Sequence, residues 1–190
     1  MFRYIKKNNI KSGLIVALFT FSLALLVSLG SEALMQAVNN VIVAIILLMV
    51  IIFLGIFFDI IGTAATAAEV PPFNARAAKK VLGARQAVKI VRNADIVANF
   101  CNDVIGDIAG TLSGAVGAGI IISLTNELGR LDLVLAGAIM TSLIAALTVG
   151  GKAVGKSVAV NNANNIIFRV AIILAWWENI SGIEVFKNRG

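Results

Sequence analysis

Three aspartates interrupt otherwise apolar sequence: Asp59 in IIFLGIFFDIIGTAATAA, and Asp103 and Asp107 in NFCNDVIGDIAG. Asn99, Asp103 and Asp107 follow i, i+4, i+8 spacing and would share one helix face, as would Asp59 and Thr63 on another helix. Asn102 adjoins Asp103. Carboxylate, amide and hydroxyl oxygens without nitrogen or sulfur partners suit a hard cation such as magnesium, calcium or sodium. The chain has no histidine and a single cysteine, Cys101, which excludes the usual zinc and copper sites and any intrachain disulfide. It also excludes a serine, histidine and acid constellation, so no enzyme is predicted.

The surroundings of these acids define the solvent. Of 190 residues, 59% are hydrophobic and 14% charged, far from the balance of soluble domains. The apolar residues fall in four blocks: Gly13 to Gly30, Val41 to about Ala68, Ile96 to Leu124, and Leu131 to Gly150 with Asp132 at its mouth. Each is long enough to cross a hydrocarbon core of about 30 Å as a helix, and none alternates with the period of two that a barrel strand needs. A carboxylate in mid-span costs about 2.5–3.5 kcal/mol, a penalty that points to use. Counted from the nearer span end, Asp59 lies about 14 Å deep and Asp103 about 12 Å, so the two are expected to face each other.

Four crossings from a cytoplasmic N-terminus put all but Arg130 of the 16 basic residues on the cytoplasmic side, the positive-inside pattern. The +6 net charge then needs no nucleic-acid partner; topology and attraction to the lipid bilayer account for it. The first block, with Arg3, Lys6, Lys7 and Lys11 before it and SLGSEA behind, also suits a cleavable signal peptide, but its length favours a retained helix. Glu69-Val70-Pro71-Pro72 should break the second helix. Phe73 to Arg92 then reads as an amphipathic hairpin divided at Gly83, with Ala77, Val81, Ala84, Val88 and Val91 on its apolar face toward lipid. Asn161 to Asn165 predicts a turn, and Ile166 to Trp177, too short to span, an interfacial helix.

Gly150 to Ser157, GGKAVGKS, fits the phosphate-loop pattern letter for letter. That loop needs a strand before it and a parallel sheet around it, and here an apolar run precedes it with no βαβ alternation anywhere. No nucleotide is expected there. The segment reads instead as the exit of the fourth helix, with Lys152 and Lys156 snorkelling to the interface. Gly106, Gly110 and Gly114 form a doubled G-x-x-x-G ladder for close helix approach.

From Phe57-Phe58-Asp59 through Gly83-Ala84-Arg85-Gln86-Ala87 and Cys101-Asn102-Asp103-Val104 to Gly151-Lys152-Ala153-Val154-Gly155-Lys156-Ser157, the chain resembles the transmembrane domain of the CNNM/CorC magnesium transporters. In that family a polar residue after paired phenylalanines leads into a basic cytoplasmic hairpin, an asparagine-bearing helix follows, and a third helix ends in G-E-x-x-P-K. The resemblance puts Asp59 at a cation-coordinating serine, Asn102 or Asp103 near a coordinating asparagine, and Lys156 at the family lysine. Lys152 replaces a coordinating glutamate and Gly155 a proline. The resemblance implies a homodimer with a cation site in each protomer and sodium-linked magnesium export; the CBS pair that follows in the family has no counterpart in this sequence.

The sequence thus predicts an all-α, multi-pass cell-membrane protein with both termini cytoplasmic. Residues 1–40 form a basic N-terminus with an extra transmembrane helix, residues 41–157 a CNNM-like three-helix core including a cytoplasmic hairpin at 70–95, and residues 158–190 a juxtamembrane tail. A divalent cation, magnesium foremost, would be held by Asp59, Thr63, Asn99, Asn102, Asp103 and Asp107 and moved across the membrane, with Lys152 modulating the site either as a tethered counter-ion or, snorkelling, as a bystander. The rival is a non-transporting scaffold or accessory subunit; a small hole-forming protein is a weaker third reading.

Overall fold

The computed structural model describes residues 9–37, 40–128 and 132–186, with side chains over 13–30, 40–126 and 132–186. Arg3, Lys6, Lys7, Arg130, Lys187 and Arg189, used above for orientation, lie outside the described residues. The described chain is helical throughout: α1 (Asn9–Ala37), α2 (Val41–Ala67), α3 (Val70–Ala78), α4 (Ala84–Arg92), α5 (Ala94–Ala98), a π-helical segment (Asn99–Ile105), α6 (Gly106–Leu128), α7 (Leu133–Asn161) and α8 (Ala163–Ser181). Four stretches are long and apolar enough to cross a membrane: Gly13–Gly30, Val41–Ala67, Ala94–Asn126 and Leu133–Asn161.

The chain divides into two compact units, residues 1–55 with 106–150, and residues 56–105 with 151–190. In the first, α1 packs along α6, and Ala44, Leu48, Ile52, Leu112, Val116 and Ile120 are buried. Gly55 lets the backbone come close to Ala109, where an added Cβ would meet the alanine methyl at 2.9 Å. Gly117 does the same for Ile144. Asp132 is a helix cap: its Oδ1 accepts the Val134 and Leu135 amides at 2.9 and 3.2 Å, and Asn40 Oδ1 likewise takes the Ile42 amide. Large side chains of α1 and of this part of α7 stand exposed, Val134 at 81%, which is compatible with helices that face hydrocarbon. Gly110 and Gly114 meet nothing, so the ladder expected on α6 is not where helices close up in this unit.

The second unit is built on local breaks. Glu69 is extended (φ −102°, ψ 140°), α3 starts with proline in its first turn, where the missing amide is no loss, and the freed Glu69 amide donates to Asn164 Oδ1 at 3.0 Å. After α3 the chain turns through Lys80 (φ 56°) and Gly83 (φ 82°) into α4. Gly83 is required twice over: its φ is left-handed, and a Cβ would run into the Ile172 backbone at 2.9 Å.

Sequence periodicity finds only part of the apolar face of this hairpin. Ala84 is buried and Val88 and Val91 pack at the edge of the core, but Val81 is exposed in the turn, and Phe73, Ala87 and Ile90 complete the buried face. Nor does that face meet lipid: Phe73, Ala87 and Ile90 cluster with Ala163, Ile167 and Ala171 of α8, and Phe73 stacks on Phe168, over which Arg76 lies at 4.3 Å. Helix α8 therefore has a packed partner along Ala163, Ile167, Ala171 and Ala175, while Trp176 and Trp177 remain exposed. Of the asparagine-rich stretch only Asn162 leaves the helix, and α8 resumes at Ala163.

Candidate functional site

The fourth long helix does not end at Gly150; α7 continues to Asn161. Glycines at 151 and 155, one turn apart, bring its second half against α2. A Cβ on Gly151 would collide with Ile56, and one on Gly155 would meet Ile60 Cγ1 at 2.8 Å. The phosphate-loop lookalike is thus a helix-packing motif, its glycines serving the close approach that G-x-x-x-G spacing allows.

That approach decides the place of Lys152. With α7 extended, Lys152 lies nine residues before the helix end, about 14 Å from it, and Asp59 lies at nearly the same depth before the end of α2. Lys152 does not snorkel away from the acids: its Nζ stands 3.6 Å from Asp59 Oδ1. Asp59 is 3% exposed, and the Lys152 side chain keeps 24%. The separation is too long for a hydrogen bond and short enough for a direct charge contact.

The other carboxylate oxygen, Asp59 Oδ2, is buried without a hydrogen-bond partner. So is Asn102 Oδ1. Asn102 reaches α2 from the π-helical segment and rests where a Cβ on Gly62 would have to be, so Gly62, one turn beyond Asp59, is the notch that admits it. The wider turns of a π-segment change which side chains point at a neighbour, and such segments are frequent at functional sites. Here Asn102 and Val104 are turned inward to different degrees, while Asn99 and Asp103 are exposed. Asp103 therefore does not share the burial of Asp59, and the carboxylate pair read from equal depth is replaced by Asp59 with Lys152.

Thr63 is half-buried, its carbonyl accepting from Thr66 Oγ1 at 2.8 Å. Asp107 belongs to the first unit and is exposed, its carbonyl accepting from Thr111. Among the described residues no group of three or more histidine, cysteine, aspartate or glutamate side chains could hold a metal. In the second unit α2 thus receives an ammonium against Asp59 and an amide oxygen against Gly62, one turn on.

No family model, curated protein or solved structure matches this chain. The resemblance to the CNNM/CorC transmembrane domain accordingly rests on its motifs alone.

Of two features of the site, one is hidden in the sequence and the other is ambiguous there. The π-segment leaves no composition signal beyond the polar cluster Asn99, Asn102, Asp103 within an apolar run. The Gly151 and Gly155 packing was legible as G-x-x-x-G inside the phosphate-loop pattern, but the lysines beside it suggested a helix end.

Proposed function

We propose that this chain is a multi-pass membrane protein that binds a cation at Asp59 and moves it across the bilayer, with Lys152 as the resident counter-ion. The observation that carries this reading is the buried Asp59 carboxylate, in contact with Lys152 through one oxygen and unpartnered at the other. Ionisable groups kept inside spans pair with one another and line ion paths. A cation arriving at Asp59 Oδ2 and Asn102 Oδ1 competes with the ammonium for the same negative charge. Sodium replaces that ammonium charge for charge. Magnesium, the cargo that the family resemblance implies, adds one further positive charge, so it binds only as Lys152 withdraws, and it keeps several of its own waters. Alternating access then consists of ion and ammonium occupying Asp59 in turn.

Flux into liposomes containing the purified protein tests the proposal, with magnesium and sodium indicators read in parallel. Wild type should carry at least one of the two ions, and Asp59→Asn should abolish that flux. Absence of flux for every cation tried, with Asp59→Asn as stable as wild type, would leave the scaffold reading. The family resemblance further suggests a homodimer, which cross-linking in the membrane tests separately.

A further inference from the structure

Away from the spans, the second unit has a cavity of about 700 Å³ walled by α4, α8 and the chain that follows α8. Three cationic side chains line it, Arg85, Lys89 and Arg92, at i, i+4 and i+7 on α4, so that they form one ladder along the helix. The opposite face of α4 is the buried Ala84, Ala87 and Ile90, which fixes the ladder toward the cavity.

Two carboxylates face this ladder, and both are engaged. Glu178 accepts from Gln86 Nε2 at 2.9 Å and from the Val185 amide at 3.0 Å, which folds the segment after α8 back toward α4. Glu184, on that segment, pairs with Lys89 at 3.1 Å. Among the described residues neither Arg85 nor Arg92 has a carboxylate partner. The cavity therefore holds two uncommitted guanidinium groups on either side of a lysine already occupied by an anion from the chain itself.

We infer that this cavity binds a phosphate-bearing anion between Arg85 and Arg92, and that Glu184 occupies the Lys89 position until the anion displaces it. Guanidinium groups match phosphate oxygens with paired hydrogen bonds, a fit that a lysine supplies only as a point charge. Displacement is easy because Glu184 is 62% exposed and an ion pair so open to solvent contributes little. A phosphate brings more charge and more acceptor oxygens than the carboxylate it replaces. Two sources supply this chemistry, an anionic lipid headgroup and a soluble phosphate compound.

The test uses the full-length purified protein and follows its thermal unfolding. One arm titrates pyrophosphate in neutral detergent; the other compares phosphatidylcholine nanodiscs with and without phosphatidylglycerol. A rise in the unfolding midpoint in either arm is expected, and the responding arm identifies the source. Arg85→Gln combined with Arg92→Gln should weaken the apparent affinity by roughly tenfold or more. Arg169→Gln, which removes the same charge from α8 outside the cavity, should leave it unchanged. Glu184→Gln should tighten binding severalfold, because it frees Lys89; this variant keeps the inference testable if the double variant fails to fold. No rise in either arm, a rise kept intact in the double variant, or weaker binding in Glu184→Gln would overturn it.

Discussion

At the scale of single residues, Asp59 and Lys152 act as a unit, and removing one partner differs from removing both. Lys152→Met leaves a buried carboxylate uncompensated. It should cost about 2–4 kcal/mol, below the figure for a fully buried pair because Lys152 keeps some exposure. Asp59→Asn with Lys152→Met removes both charges and should recover much of that loss, so a double-mutant cycle on thermal midpoints should show strong coupling. Additive effects would mean that the contact carries no energy. The same variant reports on cation binding: Lys152→Met should create or enlarge a magnesium-dependent rise in midpoint, since it deletes the competitor. Gly62 offers a second test. A methyl there meets the Asn102 side chain, so Gly62→Ala should destabilise by about 1–3 kcal/mol, and adding Asn102→Ala should restore most of it. Asp59 was legible in the sequence because a charge inside an apolar run has to be explained. Its partner was legible only as one of two alternatives, a tethered counter-ion or a snorkelling bystander, because pairing depends on how far α7 continues, and Gly150 with two lysines reads equally well as an end or as a close contact.

Elements divide into those whose breaks are chemical and those whose breaks are tertiary. The end of α2 and the turn at Gly83 follow from proline and glycine, which act through their own backbone, and the structure has both where the sequence predicts them. The buried face of the hairpin follows only in part, at Ala84, Val88 and Val91, since counting period across Gly83 joins two separate helices, and Ala87 and Ile90 are buried by α8. Gly83→Ala makes the dependence measurable. It forces a side chain into left-handed φ and against the Ile172 backbone, so α4 amides should lose hydrogen-exchange protection while the spanning helices keep theirs. Equal protection in the variant would mean that α8 does not hold α4. The π-segment is the other element that local sequence hides. Deleting Asn99, exposed within it, removes the extra residue and should convert the segment to α-helix with little change in total helicity. Asn102 then rotates away from Gly62, and cation response at Asp59 should fall with it.

For the whole molecule, the register between α2 and α7 bears on how the chain crosses the membrane. Ile56 meets Gly151, Asp59 meets Lys152 and Ile60 meets Gly155, so both sequences advance together and the two helices run in the same direction along this contact. Four consecutive crossings require that of the second and fourth spans, whichever side the chain starts from. The contacts are thus compatible with the four-crossing arrangement by a route that uses no charge counting, and the basic residues bear on the choice of side. Labelling decides it in a Cys101→Ala background. With an impermeant thiol reagent outside intact cells, a cysteine at Asn126 should react, while cysteines at Lys79 and Asn179 should both be protected until the membrane is opened. Reaction at both Lys79 and Asn179 with protection at Asn126 would invert the orientation and keep the crossings. Reaction at only one of Lys79 and Asn179 would place the hairpin and α8 on opposite sides, which the packing of Ala87 and Ile90 against Ile167 and Ala171 does not permit.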